Sequence, residues 1–241
     1  MTRQVHRWAG ALALATTLGL TAAACGSDGD ESSASTTTIS APSDAVVVID
    51  PGDDGVYAPE LDPADFIDGI THPYLPFTVG SEWIYEGFSD GETERIEIVV
   101  TDERKEILGI SATVVRDTVY VGGELVEDTF DWYGQDRDGN VWYLGEDSKE
   151  YEDGEVVSTA GSWEAGVDGA QPGIVMPAVA EVGHAYRQEF YAGEAEDLAE
   201  IIAIGETLTI GIGDYADVIR TREWTPLEPD VVEEKTYAPG V

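Results

Sequence analysis

The chain has 241 residues, of which 12 are basic and 49 acidic, for a net charge of -37. A surface this negative repels phosphate backbones and anionic headgroups, so it excludes nucleic acid and charge-driven membrane binding. The chain has one cysteine, so no disulfide framework within it is expected.

The first predicted element is a secretory signal over residues 1–24. Arg3 and Arg7 give a positive start, residues 9–20 are apolar and uncharged, and Ala22-Ala23-Ala24 supplies small residues before Cys25. The apolar run is shorter than the roughly 20 residues needed to span a bilayer. Small residues before a cysteine resemble the lipobox of bacterial lipoproteins, although Ala22 stands where leucine is commonest. The resemblance implies that Cys25 is diacylated and becomes the mature N-terminus. The protein would then sit on the extracytoplasmic face of a bacterial membrane. Each buried acyl methylene contributes ~0.8 kcal/mol, so two chains hold where one is marginal. Cleavage removes Arg3 and Arg7, leaving a mature net charge of -39. The acyl chains, not the surface, must therefore supply the membrane attachment.

Residues 25–59 are predicted as a disordered tether. An acidic, small-residue opening is followed by a Ser/Thr/Ala tract that cannot bury enough apolar surface to offset chain entropy. The run Ala45-Val46-Val47-Val48-Ile49 interrupts it and reads as a strand that could dock on the domain.

Residues 60–241 read as one all-β domain of about ten antiparallel strands, in a curved meander, half-barrel or sandwich. Ile96, Ile98 and Val100 alternate on one face, and Leu108, Ile110, Ala112 and Val114 continue the period of two. Gly122-Gly123 and Asp153-Gly154 are hairpin signals. Between them, Val126, Phe130 and Trp132 share a face, with Asp128 breaking the row. Residues 161–183, rich in small residues and holding Pro172 and Pro177, are predicted as a long loop. Strands then follow at 186–191, 201–204, 207–212, 217–224 and 231–237. A helix over 194–202 is the alternative there, with Leu198, Ile201 and Ile202 on one side.

Ile70-Thr71-His72-Pro73-Tyr74-Leu75-Pro76-Phe77 continues through Gly80 to Trp83 and Tyr85. That phrase resembles the opening of a group of secreted β proteins. Tyr237-Ala238-Pro239-Gly240-Val241 resembles the phrase near their end, which usually runs on into a further strand. Asp131-Trp132-Tyr133, residues 138–143 and residues 223–226 are similar too. The resemblance implies a curved antiparallel sheet like that of periplasmic lipoprotein carriers, and no activity. It also implies that a last strand is missing after Val241.

Three sets of residues are candidates for chemistry. Trp132, Tyr133, Trp142, Tyr143 and Trp163 could form a platform for an apolar or sugar-containing ligand, against the plainer reading as packed core. Asp136, Asp138 and Asn140 place oxygens at alternate positions, as at the start of a calcium loop. Val141 stands where such a loop needs glycine, and Asp147 where it needs glutamate, so a hairpin turn explains the same residues. Glu189, Glu194, Glu196, Asp197 and Glu200 are a third set; paired carboxylates can serve hydrolysis. His72 and His184 lack zinc-ligand spacing. No serine-nucleophile elbow or phosphate-binding glycine loop is found.

The reading favoured is a non-enzymatic, lipid-anchored envelope protein, without a cofactor unless calcium. It is expected to be a monomer whose domain binds or carries an apolar or amphipathic ligand. An acidic module for divalent cations or a basic protein partner is the alternative, and a carboxylate-dependent hydrolase the second alternative.

Overall fold

The structure is a computed structural model, and it describes residues 57–89 and 91–241. The expected signal, Cys25 and the strand-like run at 45–49 lie outside the described residues.

Alternating apolar residues and short connections generate a meander of five strands: β1 (Glu82–Ser89), β2 (Glu92–Ile107), β3 (Ile110–Val121), β4 (Glu124–Gln135) and β5 (Val141–Glu152). Each pairs antiparallel with the next. Ile96, Ile98 and Val100 all face inward and are buried. The β3–β4 turn is Gly122-Gly123, with φ of 61° and 88°. Positive φ at both central residues matches the twist of the flanking strands. Leu108-Gly109 makes the β2–β3 turn in the same way, with φ of 52° and 81°. Leu108 is thus a turn residue, not the strand residue its spacing suggested.

The segment predicted as a long loop at 161–183 instead contributes two strands. After β6 (Glu155–Ser158), β7 (Trp163–Glu164) and β8 (Gln171–Met176) both pair with β5. Pro172 and Pro177 hide this: they bracket a short apolar run and read as loop punctuation. Gly173 in β8 is required by packing, because a side chain there would run into the backbone of Gln188 and Glu189.

The stretch 186–191 also divides. β9 (Ala185–Arg187) joins a second sheet, and β10 (Glu189–Phe190) joins the first beside β8. The second sheet has the order β13-β12-β11-β9, with β11 (Leu198–Ile210), β12 (Gly213–Trp224) and β13 (Val232–Tyr237). The helix weighed over 194–202 is not formed. Leu198 and Ile201 are both buried because they lie on opposite faces of β11, each covered.

The architecture is therefore a curled antiparallel half-barrel sheet with a second sheet against it, holding thirteen strands among the described residues. The core runs from Ile98, Ile107 and Ile110 through Tyr133, Tyr143 and Leu144 to Met176 and Ile201. Tyr57, ahead of the first strand, is buried and donates from its hydroxyl to the Pro172 carbonyl at 2.7 Å. The two phrases at the ends of the domain meet, where Gly240 N donates to the Pro73 carbonyl at 2.7 Å; the Tyr74 hydroxyl of the opening phrase also donates to the Asp217 carbonyl of the second sheet at 2.8 Å.

A candidate site: the acidic cleft between the sheets

A strand exposes its odd and even residues to opposite faces. On β4 and β5 one of those faces is polar and points inward. Their register sets Glu127 opposite Glu150, Thr129 opposite Ser148, and Asp131 opposite Glu146. The middle pair is joined by a 2.9 Å hydroxyl bond. The outer two pairs set carboxyl against carboxyl, an arrangement that destabilises a sheet when both are charged.

Glu127, Glu146, Ser148 and Glu150 of this ladder form one wall of a cleft of about 930 Å³ out to its open mouth. Glu223 of β12 and Glu233 and Lys235 of β13 line the facing wall. Glu189 closes the floor beside Glu146; both are nearly inaccessible, at 2% and 3% exposed. Trp224, Leu227 and Val231 line the cleft toward solvent, the last two 43% and 39% exposed. Nine carboxylates and one lysine line the cleft among the described residues.

Aromatic tips hold the floor in place. The Tyr143 hydroxyl is 2.5 Å from Asp131 Oδ1 and 3.1 Å from Glu146 Oε2. A phenol has one proton to donate. If it goes to the nearer oxygen, Asp131, then the contact with Glu146 requires a proton on the Glu146 carboxyl. Trp163 Nε1 donates to Glu189 Oε2 at 2.7 Å. On the opposite wall, Glu223 accepts from Thr221 Oγ1 at 2.7 Å and pairs with Lys235 Nζ at 2.7 Å.

Burial governs the protonation of this group. It pushes Asp131 up to about 7, with the Tyr143 bond opposing and Glu127 adding to the rise. It pushes Glu127 to about 7 as well. Asp197 rises to about 6 through burial, with Lys235 pulling it back. Glu146 and Glu189 stand well above the usual carboxylate range, first through burial and then through repulsion from neighbouring carboxylates. Asp117 on β3 is raised in the same way, and its Oδ1 is buried without a hydrogen-bond partner.

The residues singled out in the sequence divide among several roles. Trp132, Tyr133, Tyr143 and Trp163 are buried, so they form core rather than an open platform. Tyr133 stacks on Tyr143 at 4.8 Å, and Tyr143 meets Trp163 edge-on at 5.3 Å. Trp132 lies beneath Lys105, whose Nζ is 3.3 Å from the ring centroid. Trp142 is half-buried and donates to Asp136 Oδ2 at 2.8 Å. None of these five rings is among the residues lining the cleft. Tyr143 and Trp163 instead position the carboxyls that do.

The expected calcium loop is built as a turn. Asp136 Oδ1 accepts from the backbone N–H of Gly139 and Asn140, and Oδ2 from Asn140 Nδ2 and Trp142 Nε1. Asn140 Oδ1 accepts from Ala178 N. Four donors already occupy the Asp136 carboxylate. No group of three or more His, Cys, Asp or Glu side chains is arranged to hold a metal ion among the described residues. Of the third set, Glu189, Glu194 and Asp197 reach the cleft. Glu196 accepts from the Gly193 N–H, and Glu200 pairs with Arg222. His72 is buried, with its basicity lowered by that burial, and His184 pairs with Glu181 at 2.8 Å.

Sequence reasoning missed Glu127, Glu146, Glu223, Glu233 and Lys235. The available signal was the polar period of two in Glu127-Thr129-Asp131 and Glu146-Ser148-Glu150, out of phase with the apolar residues. Compared with protein-family models, with curated proteins and with solved structures, the chain matches none.

Proposed function

We propose that this is a lipid-anchored envelope protein whose β domain binds, without chemistry, an amphipathic ligand bearing a positive charge. The lipid is on Cys25, and the ligand lies in the cleft between the two sheets. One arrangement carries the reading: an acid floor of Glu146 and Glu189 lies below a partly exposed apolar rim of Leu227 and Val231. A cationic head that reaches the floor displaces the protons held there and takes over the neutralisation of those carboxyls, and a short apolar tail covers the rim. The expectation of an apolar ligand is thereby narrowed to one with an ammonium or related head.

Calorimetry on the protein with chain-matched hexylammonium and hexanoate tests it. Hexylammonium is expected to bind at least about tenfold more tightly, a difference of about 1.4 kcal/mol. Equal heats for the two, or hexanoate binding alone, would refute the reading. Binding of a basic peptide without binding of hexylammonium would favour a protein partner instead.

A further inference from the structure

Glu146 and Glu189 sit in a place that ionised carboxylates do not tolerate without partners. Both are on the first sheet, on β5 and β10, and both face the second. Glu146 looks onto Asp131 and Glu127 of β4 and onto Glu189. Its hydrogen-bond partner is the Tyr143 hydroxyl of its own strand. Glu189 looks onto Asp197, which precedes β11, and also onto Asp131 and onto Lys235 of β13. Its partner is the Trp163 indole of β7. Glu223 of β12 and Glu233 of β13 face them across the cleft, with Glu150, Glu194 and Glu228 nearer its edges. Asp117 of β3 lies behind, within reach of Asp131, Glu127 and Lys235. Lys235 is already paired with Glu223. So the floor is neutral only if it holds protons, and the single phenolic proton between Asp131 and Glu146 calls for one carboxyl proton on that pair.

We propose that the seam between the two sheets is a proton-operated latch: it is closed while Glu146 and Glu189 carry protons and loosens as they lose them. Deprotonation places two new charges on the first sheet, opposite Asp197, Glu223 and Glu233 of the second-sheet side, with one lysine to offset them. Repulsion across the seam is relieved by drawing the sheets apart and admitting water to the floor. The hydrogen bond from Trp163 to Glu189 puts an optical reporter at the latch. The latch occupies the cleft of the proposed function but needs no ligand. It is therefore tested on ligand-free protein, where its failure leaves the binding reading standing.

The test is acrylamide quenching of tryptophan fluorescence between about pH 5 and about pH 8. The quencher is neutral, so the acidic surface does not bias its approach. The Trp163 component is isolated by difference against Trp163→Phe. In the wild type its quenching should rise about twofold or more with a midpoint above the ordinary carboxylate range. Glu146→Gln with Glu189→Gln keeps the hydrogen-bond geometry and removes the charge, so quenching should stay low throughout. Equal shielding of wild-type Trp163 at both pH values would overturn the latch, as would an unchanged rise in the double variant. Carboxyl carbon NMR of the wild type probes the same protons without a variant. Glu146 and Glu189 still protonated at about pH 6 supports the latch, and both ionised there overturns it.

Discussion

The buried carboxyls predict an inverted dependence of stability on pH. Most domains gain stability on leaving acid, because their carboxylates are paired or solvated when folded. Here the folded state holds protons that the unfolded chain gives up. The folded value of Asp131 is about 7, against an ordinary 3.8. A group with a raised folded value contributes stability that is complete below its unfolded value near 4. That contribution is lost as pH rises, and is gone once pH has passed the folded value near 7. Each pH unit between the two values is worth about 1.4 kcal/mol, so Asp131 alone contributes about 4 kcal/mol. Glu127, Asp197, Glu146 and Glu189 act in the same direction. Between pH 4.5 and pH 7.5 the share of Asp131 is about 3 kcal/mol, so with an m-value of about 2 kcal/mol per molar the urea midpoint should fall by at least about 1.5 M. Tryptophan fluorescence along urea titrations at fixed pH measures this. Net surface repulsion would also weaken the fold as pH rises, and added salt separates the two causes. In about 1 M salt the screening length is about 3 Å, which quenches surface repulsion and leaves buried groups largely unscreened. A midpoint that rises or stays level over this range would refute the reasoning, as would a fall that disappears in high salt.

Four further outcomes follow, three from particular contacts and one from the proposed lipid on Cys25. Gly173→Ala should cost about 3 kcal/mol in denaturant unfolding, because its methyl collides with the Gln188–Glu189 backbone. Tyr57→Phe should cost about 1 kcal/mol through loss of the bond to Pro172, and Tyr57→Ala about 3 kcal/mol or more as its buried ring is lost. Lys235→Met should cost about 3–5 kcal/mol in denaturant unfolding at neutral pH by leaving Glu223 buried without its ion pair. Cys25→Ser should move the protein from the membrane fraction to the soluble fraction on cell fractionation.

The fold was largely legible because its signals are local. Ile96, Ile98 and Val100 announce a strand by spacing alone, and Gly122-Gly123 and Asp153-Gly154 announce hairpins by backbone freedom. β7 and β8 were hidden because their hydrogen bonds go to β5, distant in sequence, while Pro172 and Pro177 imitate a loop. β9 and β10 were fused because nothing in residues 186–191 marks where the chain leaves one sheet for the other. The cleft was harder to see. Its floor joins Glu146 to Glu189, 43 positions away, and in so acidic a chain no single glutamate stands out. Burial distinguishes them, and burial is a property of the closed fold. The aromatic residues were legible as a cluster, but spacing alone did not show that Tyr143 and Trp163 hold the acids from beneath.

The proposed ligand binding in this cleft requires a cationic head to reach the Glu146–Glu189 floor. The Trp163 indole N–H, bonded to Glu189 at 2.7 Å, is the probe nearest to it. A proton–nitrogen correlation spectrum recorded during titration with hexylammonium should show that indole signal shifting saturably, together with amides of β5 and β13, and hexanoate should leave them in place. Shifts that map away from the cleft, or that are the same for both ligands, would contradict cationic recognition at this floor.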